Sequence, residues 1–377
     1  MSLLELDARF MERALELADS ARGLTSPNPL VGAVVVRDGL VAGEGYHAQA
    51  GTAHAERLAL AVAGLQARGA TLYVTLEPCV HQGRTPPCVS AVVEAGIRRV
   101  VVAVLDPNPR VSGGGVAALR QAGIAVSVGC READARRLNR PFFTWITERR
   151  PFVTLKAAMS LDGKIAGWDR SSRWITGEAA RGAGHRLRSE SDAIAVGIGT
   201  LLADDPELTV RLEPAWPREP HRVVVDSRAR TPCSARVLSA GSPGRTLIAV
   251  TEAAPSENVE ALAARGAQVV RLPARDERVD LAALAAELAR RDVTALLLEG
   301  GGELNAAFLE AGLVDRVVVF VAPLLLGGRS APTPLEGPGR GLKEAFRLTA
   351  MTVRREGEDL VIEGDIDRGE SDVHGPR

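Results

Sequence analysis

His54, Glu56, Cys79 and Cys88 are the residues whose types and order could do chemistry in the first half of this chain. One imidazole and two thiols are three soft ligands, and an ion such as zinc held by three keeps a fourth position for water. A carboxylate two residues beyond the histidine could move protons on and off that water. Eight residues, 80–87, separate the cysteines. Other readings stand beside this one. Cys79 and Cys88 could be structural thiols or a disulfide, and His81 or His47 could close the ion into a four-ligand fold staple.

The second half offers no such cluster and no Ser–His–Asp set. Its clearest signal is the apolar run 296–298 leading into Glu299 and Gly300-Gly301-Gly302, with a helix expected over 303–310. Glycines at that junction let a phosphate approach backbone N–H groups at the helix start. A tight strand–helix turn fits the same residues, and the pattern is not the G-x-G-x-x-G dinucleotide fingerprint. Gly197 and Gly199 after a strand are equally ambiguous.

Elements must hold these groups in place. Leu6, Phe10, Ala14, Leu17 and Ala18 recur at helical spacing before Gly23. Strands at 30–36 and 40–46 flank Asp38-Gly39, a strong hairpin signal. A helix over 53–68, strand 71–76, loop 77–87, helix 88–95, strand 99–105, helix 115–122, strand 124–128 and a closing helix 134–146 follow. This order predicts a three-layer α/β sandwich around a mixed sheet. His54 and Cys88 fall at helix N-termini, where exposed N–H groups favour a thiolate. Two residues apart on a regular helix, His54 and Glu56 would point to nearly opposite sides. The arrangement therefore requires the first turn, with His54 at its very end.

Length and composition set the frame. At 377 residues the chain implies about two domains. Arg149-Arg150-Pro151 reads as the linker between a domain at 1–147 and one at 150–367, which opens with a strand at 152–156. The polar segment 368–377 reads as a disordered tail. A net charge of −1 without a basic run argues against nucleic-acid binding. Residues 1–10 contain Glu5, Asp7 and Arg9 and no apolar signal core. The longest apolar run, 317–326, is far short of the roughly 20 residues a membrane span needs. Four cysteines make no disulfide scaffold, so a soluble cytoplasmic protein is expected, with Cys130 and Cys233 as packing or surface residues.

His-x-Glu, then Pro-Cys, then a second Cys resembles the zinc-dependent base deaminases, although their commonest pattern has only two residues between the cysteines. The stretches Thr25-Ser26-Pro27-Asn28-Pro29-Leu30-Val31-Gly32-Ala33-Val34, His54-Ala55-Glu56, Thr75-Leu76-Glu77-Pro78-Cys79, Gly83-Arg84-Thr85-Pro86-Pro87-Cys88 and Asp106-Pro107-Asn108-Pro109 resemble one family more closely. That family is the bifunctional deaminase–reductases of riboflavin biosynthesis, which have the same long gap between cysteines. Lys156-Ala157-Ala158-Met159-Ser160-Leu161-Asp162-Gly163-Lys164, 172–176, 197–206, 223–227 and 296–303 resemble its reductase half.

The resemblance implies a cytidine-deaminase-like three-layer α/β/α domain followed by a dihydrofolate-reductase-like α/β domain. It implies one zinc per chain on His54, Cys79 and Cys88, with Glu56 as the catalytic proton shuttle. Asn28, His47, Arg84, Asp106 and Asn108 match positions that hold the pyrimidine or its ribose phosphate, as amide and guanidinium chemistry allows. Asn28 and Asn108, each between two prolines, equally suit turns, and Arg84 a solvated loop charge. NADPH contacts are implied for Ala158, Trp174, Thr200, Asp204, Ser227, Gly301, Gly302, Glu303, Leu304, Asn305, Ala306 and Ala307. Substrate contacts are implied for Ser172, Arg188, Leu208, Arg211 and Glu299. Lys156 matches a site lysine near the sugar, though a strand-end lysine is commonly solvated.

The implied activity is deamination of 2,5-diamino-6-ribosylamino-4(3H)-pyrimidinone 5′-phosphate and then NADPH reduction of the ribosyl group to ribityl. The implied partners are this phosphorylated pyrimidine and further copies of the chain, as a dimer or tetramer. The competing reading is a nucleoside or tRNA base deaminase with a non-catalytic second module.

Overall fold

Asp38 and Gly39 both adopt positive φ, 52° and 79°, and turn the chain between strands β1 (Gly32–Arg37) and β2 (Leu40–Tyr46), with Arg37 facing Leu40. That left-handed pair matches the twist of the strands it joins, which is why the dipeptide was legible as a hairpin. The computed structural model describes residues 2–80, 87–109, 111–239 and 245–369, and contacts divide the chain into Met1–Arg150 and Pro151–Arg377.

In the first unit, α1 (Leu3–Asp19) precedes the hairpin. It is followed by α2 (Ala55–Ala63), β3 (Thr71–Leu76), α3 (Cys88–Glu94), β4 (Arg99–Val104), α4 (Gly114–Gln121), β5 (Ala125–Val128), α5 (Glu132–Leu138) and α6 (Arg140–Glu148). Among the described residues the sheet has five strands in the order β2-β1-β3-β4-β5, with β1 antiparallel to both neighbours and β3, β4 and β5 parallel. Alternation divides the side chains between two faces. Val34, Val36, Tyr73 and Val101 pack with Phe10, Met11, Ala14, Phe142 and Ile146 of α1 and α6. Val35, Leu72, Val74 and Val102 pack with Ala59, Val92 and Leu119 of α2, α3 and α4. The expected three layers are present.

Two helix expectations need correction. The helix expected over 53–68 is shorter: α2 ends at Ala63 and a 3₁₀ turn covers Gly64–Ala67. The single closing helix expected over 134–146 is two, α5 and α6, broken at Asn139. Pro141, in the first turn of α6, has no backbone N–H with which to continue the hydrogen-bond ladder of α5. Asn139 itself is bound elsewhere: its Oδ1 accepts from Leu30 N at 2.7 Å and its Nδ2 donates to Leu30 O at 2.8 Å.

The second unit runs β6 (Phe152–Ser160), α7 (Glu178–Ser189), β7 (Ala193–Gly197), α8 (Ile198–Asp204), β8 (His221–Val225), α9 (Arg236–Ser239), β9 (Thr246–Val250), α10 (Ser256–Ala264) and β10 (Gln268–Arg271). A small hairpin, β11 (Ala274–Arg275) and β12 (Arg278–Val279), precedes α11 (Leu281–Arg290), β13 (Ala295–Leu298), α12 (Gly302–Glu310), β14 (Arg316–Ala322), β15 (Leu348–Glu356) and β16 (Asp359–Ile366). Among the described residues the large sheet has nine strands, β10-β9-β8-β7-β13-β6-β14-β16-β15. Strands β10 through β14 in that order are parallel, and β16 and β15 add an antiparallel edge. Helices α11 and α12 cover one face through Leu284, Leu288 and Phe308. Helices α8 and α10 cover part of the other through Leu201 and Leu262. The strand expected at 152–156 extends to Ser160. Within the segment 368–377 expected to be a disordered tail, Arg368 is held, its Nη2 2.6 Å from Asp315 Oδ1; residues 370–377 fall outside the described residues.

Candidate active sites

His54 is the N-cap of α2, with extended backbone (φ −73°, ψ 157°), and Glu56 lies in the first turn. The cap position lets the imidazole turn toward the carboxylate's side, which a residue inside the helix could not do. Strand β2 fixes that helix by close approach: a Cβ on Gly45 would stand 2.6 Å from Ala55 O, and one on Gly43 2.3 Å from Ala59 O. Cys79 follows β3, and Cys88 opens α3 behind Pro87.

The ligand atoms of His54, Cys79 and Cys88 all lie within 4.8 Å of one another. His54 Nδ1 is 3.2 Å from Cys88 Sγ and 3.7 Å from Cys79 Sγ. Tetrahedral zinc with bonds of about 2.0 Å to nitrogen and about 2.3 Å to sulfur separates such atoms by about 3.6 Å, so the donor set fits the ion. The backbone N–H of Cys88 points at Cys79 Sγ, 3.4 Å away. Hydrogen bonding from Cys88 pulls the Cys79 thiol down, joined by His54 and opposed by burial. The hydrogen bond to Cys79, together with burial, pushes Cys88 up. Two neighbouring sulfurs disfavour being charged together, and a cation between them would offset that repulsion. Glu56, 3% exposed, has its carboxyl pushed up by burial beside the two sulfurs. Burial that favours the neutral carboxyl lets Glu56 keep a proton taken from water until it is delivered.

Around this cluster, Asn28 Nδ2 and His47 Nε2 are 3.0 Å apart, and His47 Nδ1 is 3.2 Å from Ala53 O. Both ring nitrogens of His47 are thus engaged away from the sulfurs, and it stands edge-on to the His54 ring at 5.5 Å. Asp106 is buried, and its Oδ1 accepts from Asn108 N at 2.8 Å. Arg84 and His81 lie outside the described residues. The sequence reading missed the part played by Glu77. Its carboxylate accepts from Asp106 N, Gly113 N and Val116 N at 3.2, 2.9 and 3.0 Å, and so fastens the loop bearing Asp106 and Asn108 to the strand end before Cys79. These donors are 29 to 39 residues away in sequence, so no local pattern could reveal them.

In the second unit a cavity of about 580 Å³ opens at the carboxyl ends of β7, β8 and β13, the usual ligand position of an open parallel sheet. Thr200, Asp204, Ser227, Gly301, Gly302, Glu303, Leu304, Ala307 and Ser172 line it. Ser172 Oγ donates to Asp204 Oδ1 at 2.7 Å. Ala158, Trp174, Asn305 and Ala306 are not on its wall. Trp174 is exposed, with the Arg181 guanidinium 4.7 Å from its ring, and Asn305 is buried with its Oδ1 unpartnered. Gly302 lies so near Thr333 O that a Cβ would be 2.5 Å away. Gly301 and Gly302, which open α12, both lie on the cavity wall, with the Glu336 side chain packed against Gly302, and backbone N–H groups at a helix start are suited to a pyrophosphate.

Arg188 and Glu299 pair through two hydrogen bonds, with Lys156 Nζ 3.8 Å from Glu299 Oε2 and Phe320 beneath the ammonium at 5.8 Å. Arg211 is exposed, and its backbone N–H donates to His185 Nδ1 at 3.1 Å. Burial, together with Arg188 and Arg211, pushes His185 down to about 4, so it is a neutral acceptor. Leu208 is buried at φ 53°. His185 had no signal in the sequence, being one helical residue among many polar ones.

A partly buried His/Cys/Cys cluster beside a buried carboxyl in one α/β unit, followed by a glycine-lined cleft in another, defines a two-activity protein: a zinc-binding deaminase joined to a reductase. Family comparison agrees. The model of the cytidine and deoxycytidylate deaminase zinc-binding region matches residues 4–104, and that of the RibD C-terminal domain matches 151–362. The chain is 46% identical over 358 residues to the riboflavin biosynthesis protein RibD of Aquifex aeolicus, covering 95% of this chain and 98% of that one. The solved structure of Acinetobacter baumannii RibD superposes with a TM-score of 0.88 at 38% identity, covering 96% and 99%. A Thermotoga maritima diaminohydroxyphosphoribosylaminopyrimidine deaminase/5-amino-6-(5-phosphoribosylamino)uracil reductase does so at 0.84 and 34%, covering 97% and 100%.

The chain belongs to the RibD family, the bifunctional deaminase–reductases of riboflavin biosynthesis. Its first unit is cytidine-deaminase-like and its second dihydrofolate-reductase-like, with zinc and NADPH as cofactors. The reading of a nucleoside or tRNA base deaminase with a non-catalytic second module gives way to this one. Among the described residues no helix is long and apolar enough to cross a membrane.

Proposed function

We propose that the deaminase, within 1–147, removes the 2-amino group of 2,5-diamino-6-ribosylamino-4(3H)-pyrimidinone 5′-phosphate, and that the reductase, within 150–367, reduces the ribosyl group of the product. The convergence of His54, Cys79 and Cys88 beside buried Glu56 is the observation that carries this reading. His54 and the two cysteine sulfurs would hold zinc, which when bound would supply the Lewis acidity that makes water a nucleophile at neutral pH. Glu56 takes the proton of the water that adds to C2 and delivers it to the departing amine, so that ammonia leaves and a carbonyl remains. Asn28, His47, Asp106 and Asn108, with Arg84, hold the ring and its ribose phosphate.

In the reductase, NADPH supplies the hydride that C1′ accepts. Thr200, Asp204, Ser227, Gly301, Gly302, Glu303, Leu304 and Ala307, on the cavity wall, hold the dinucleotide, with Ala158, Trp174, Asn305 and Ala306 as further contacts off that wall. Lys156, next to Glu299, polarises the reacting sugar, and Ser172, Arg188, Leu208 and Arg211 shape its seat. Catalysis there is chiefly positioning of C1′ against the nicotinamide. Four unpaired cysteines suit a reducing cytoplasm, and the protein works there as a homodimer or tetramer on small molecules rather than nucleic acid.

The test is incubation of the protein with the diaminopyrimidine phosphate, with and without NADPH. Ammonia release without NADPH, and the ribityl product only with it, is the expected result. Absence of ammonia from zinc-loaded protein would end the proposal.

A further inference from the structure

The cavity wall holds three arginines that the roles above leave unused; Arg170 stands near Ser172 in the sequence, whereas Arg230 and Arg278 share the rim beyond β8. These two come from separate segments, and each is held in place. Arg230 follows β8 on the turn 226–231, and the buried carboxylate of Asp226 organises that turn by accepting from Thr231 N and Oγ1, both at 2.8 Å. Arg230 Nε stands 3.7 Å from the other oxygen of the same carboxylate. Arg278 lies on the small hairpin β11–β12. Ser227 Oγ at the end of β8 accepts from Val279 N at 3.1 Å and so ties that hairpin to the cavity rim. Both side chains keep more than half their surface in solvent, 57% and 68%, and Arg278 pairs with Glu303, 3.3 Å away, itself 69% exposed.

Topology decides what they face. Lys156 is on β6, and Glu299 follows β13; Arg230 and Ser227 follow β8. In the order β8-β7-β13-β6 three strand spacings separate β8 from β6, about 14 Å at the usual interval. A group at the β8 end cannot touch a sugar reacting beside Lys156. Gly301 and Gly302 at the start of α12 lie between them and account for the pyrophosphate. What remains at the far end of an extended dinucleotide is its adenosine, and the group there that two arginines suit is a phosphate dianion.

We propose that Arg230 and Arg278 bind the 2′-phosphate of NADPH and are the source of its selection over NADH. The inference rests on the cleft's assignment to the dinucleotide. Without the 2′-phosphate the two cations have no anion of the ligand to meet, whereas the helix start and Thr200 treat both cofactors alike.

The experiment is equilibrium binding of NADPH and NADH by nicotinamide fluorescence to the full-length protein and to its Arg230→Ala, Arg278→Ala and doubly substituted forms, with 2′-AMP and 5′-AMP as competitors. Each single change weakens NADPH about tenfold or more, leaves NADH within about twofold, and removes the advantage of 2′-AMP over 5′-AMP. Both side chains are solvated, so folding should survive, and circular dichroism verifies it. Equal weakening of both dinucleotides, or unchanged NADPH affinity in the double variant, overturns the assignment while leaving the cleft as the cofactor site. Failure of the unaltered protein to bind either dinucleotide overturns the assignment of the cleft as well.

Discussion

Arg188 and Glu299 meet as a two-pronged pair, Nε to Oε1 at 2.7 Å and Nη2 to Oε2 at 2.9 Å, with only 15% and 11% of their side chains exposed. Burial pushes the Glu299 carboxyl up, but the charges of Arg188 and Lys156 outweigh it and hold the group at about 2. A depressed carboxyl contributes stability that is present above its unfolded value and lost as pH falls through the folded one. The reductase unit should therefore lose stability between about pH 4.5 and pH 2. Glu299→Gln leaves Arg188 buried without its counter-charge, which costs roughly 3 kcal/mol at neutral pH, and it flattens the acid limb. Urea unfolding at several pH values checks this. An acid limb identical in both proteins would count against the pair.

Glu56→Gln keeps the shape of the deaminase site but removes the proton carrier. With zinc still bound, ammonia release should fall by at least about 100-fold, the scale of general acid–base catalysis. NADPH oxidation on pre-deaminated substrate should continue at the original rate. Full deamination by this variant would remove Glu56 from its assigned role.

Cys79→Ala and Cys88→Ala each delete one of three protein ligands. Zinc measured by mass spectrometry should drop from one per chain in the parent to well below it in either variant, and strong chelators should strip the parent with loss of deamination alone. Cobalt exchange gives an independent check, because a site keeping one solvent position has a different visible spectrum from one closed by four protein ligands. Full zinc content in both variants would be incompatible with the ligand set.

Much of this was legible because some signals are local. Asp38-Gly39 announces its turn by its own backbone preference, and His-x-Glu with two later cysteines announces a metal by ligand type. The break at Asn139 was not legible, because what holds Asn139 is the backbone of Leu30, 109 residues earlier. Glu77 gave no hint of its three backbone donors for the same reason. Arg230 and Arg278 carry no local signal, because only the fold brings β8 and the small hairpin to one rim. Chemistry shows in residue types, whereas support depends on which distant segments the sheet brings together.

That support can be tested at one glycine. Gly115, in the first turn of α4, sits so close to Pro78 that a Cβ would be 2.1 Å from Pro78 O and 3.0 Å from Glu77 Cγ. Neither the carbonyl nor the strand end can retreat cheaply, because Glu77 is anchored to Gly113 N and Val116 N on the same helix. Gly115→Ala must therefore push α4 away from the residue preceding Cys79, at a cost of about 1–3 kcal/mol. Gly114→Ala is the control, since its Cβ meets only Val80 Cγ2 at 3.4 Å, where a small shift suffices. Gly115→Ala should lower the melting temperature of the deaminase unit and speed zinc loss to a chelator, with reductase activity untouched. Gly114→Ala should do neither. If the two variants release zinc at the same rate, the contact at Pro78 does not position the cysteine.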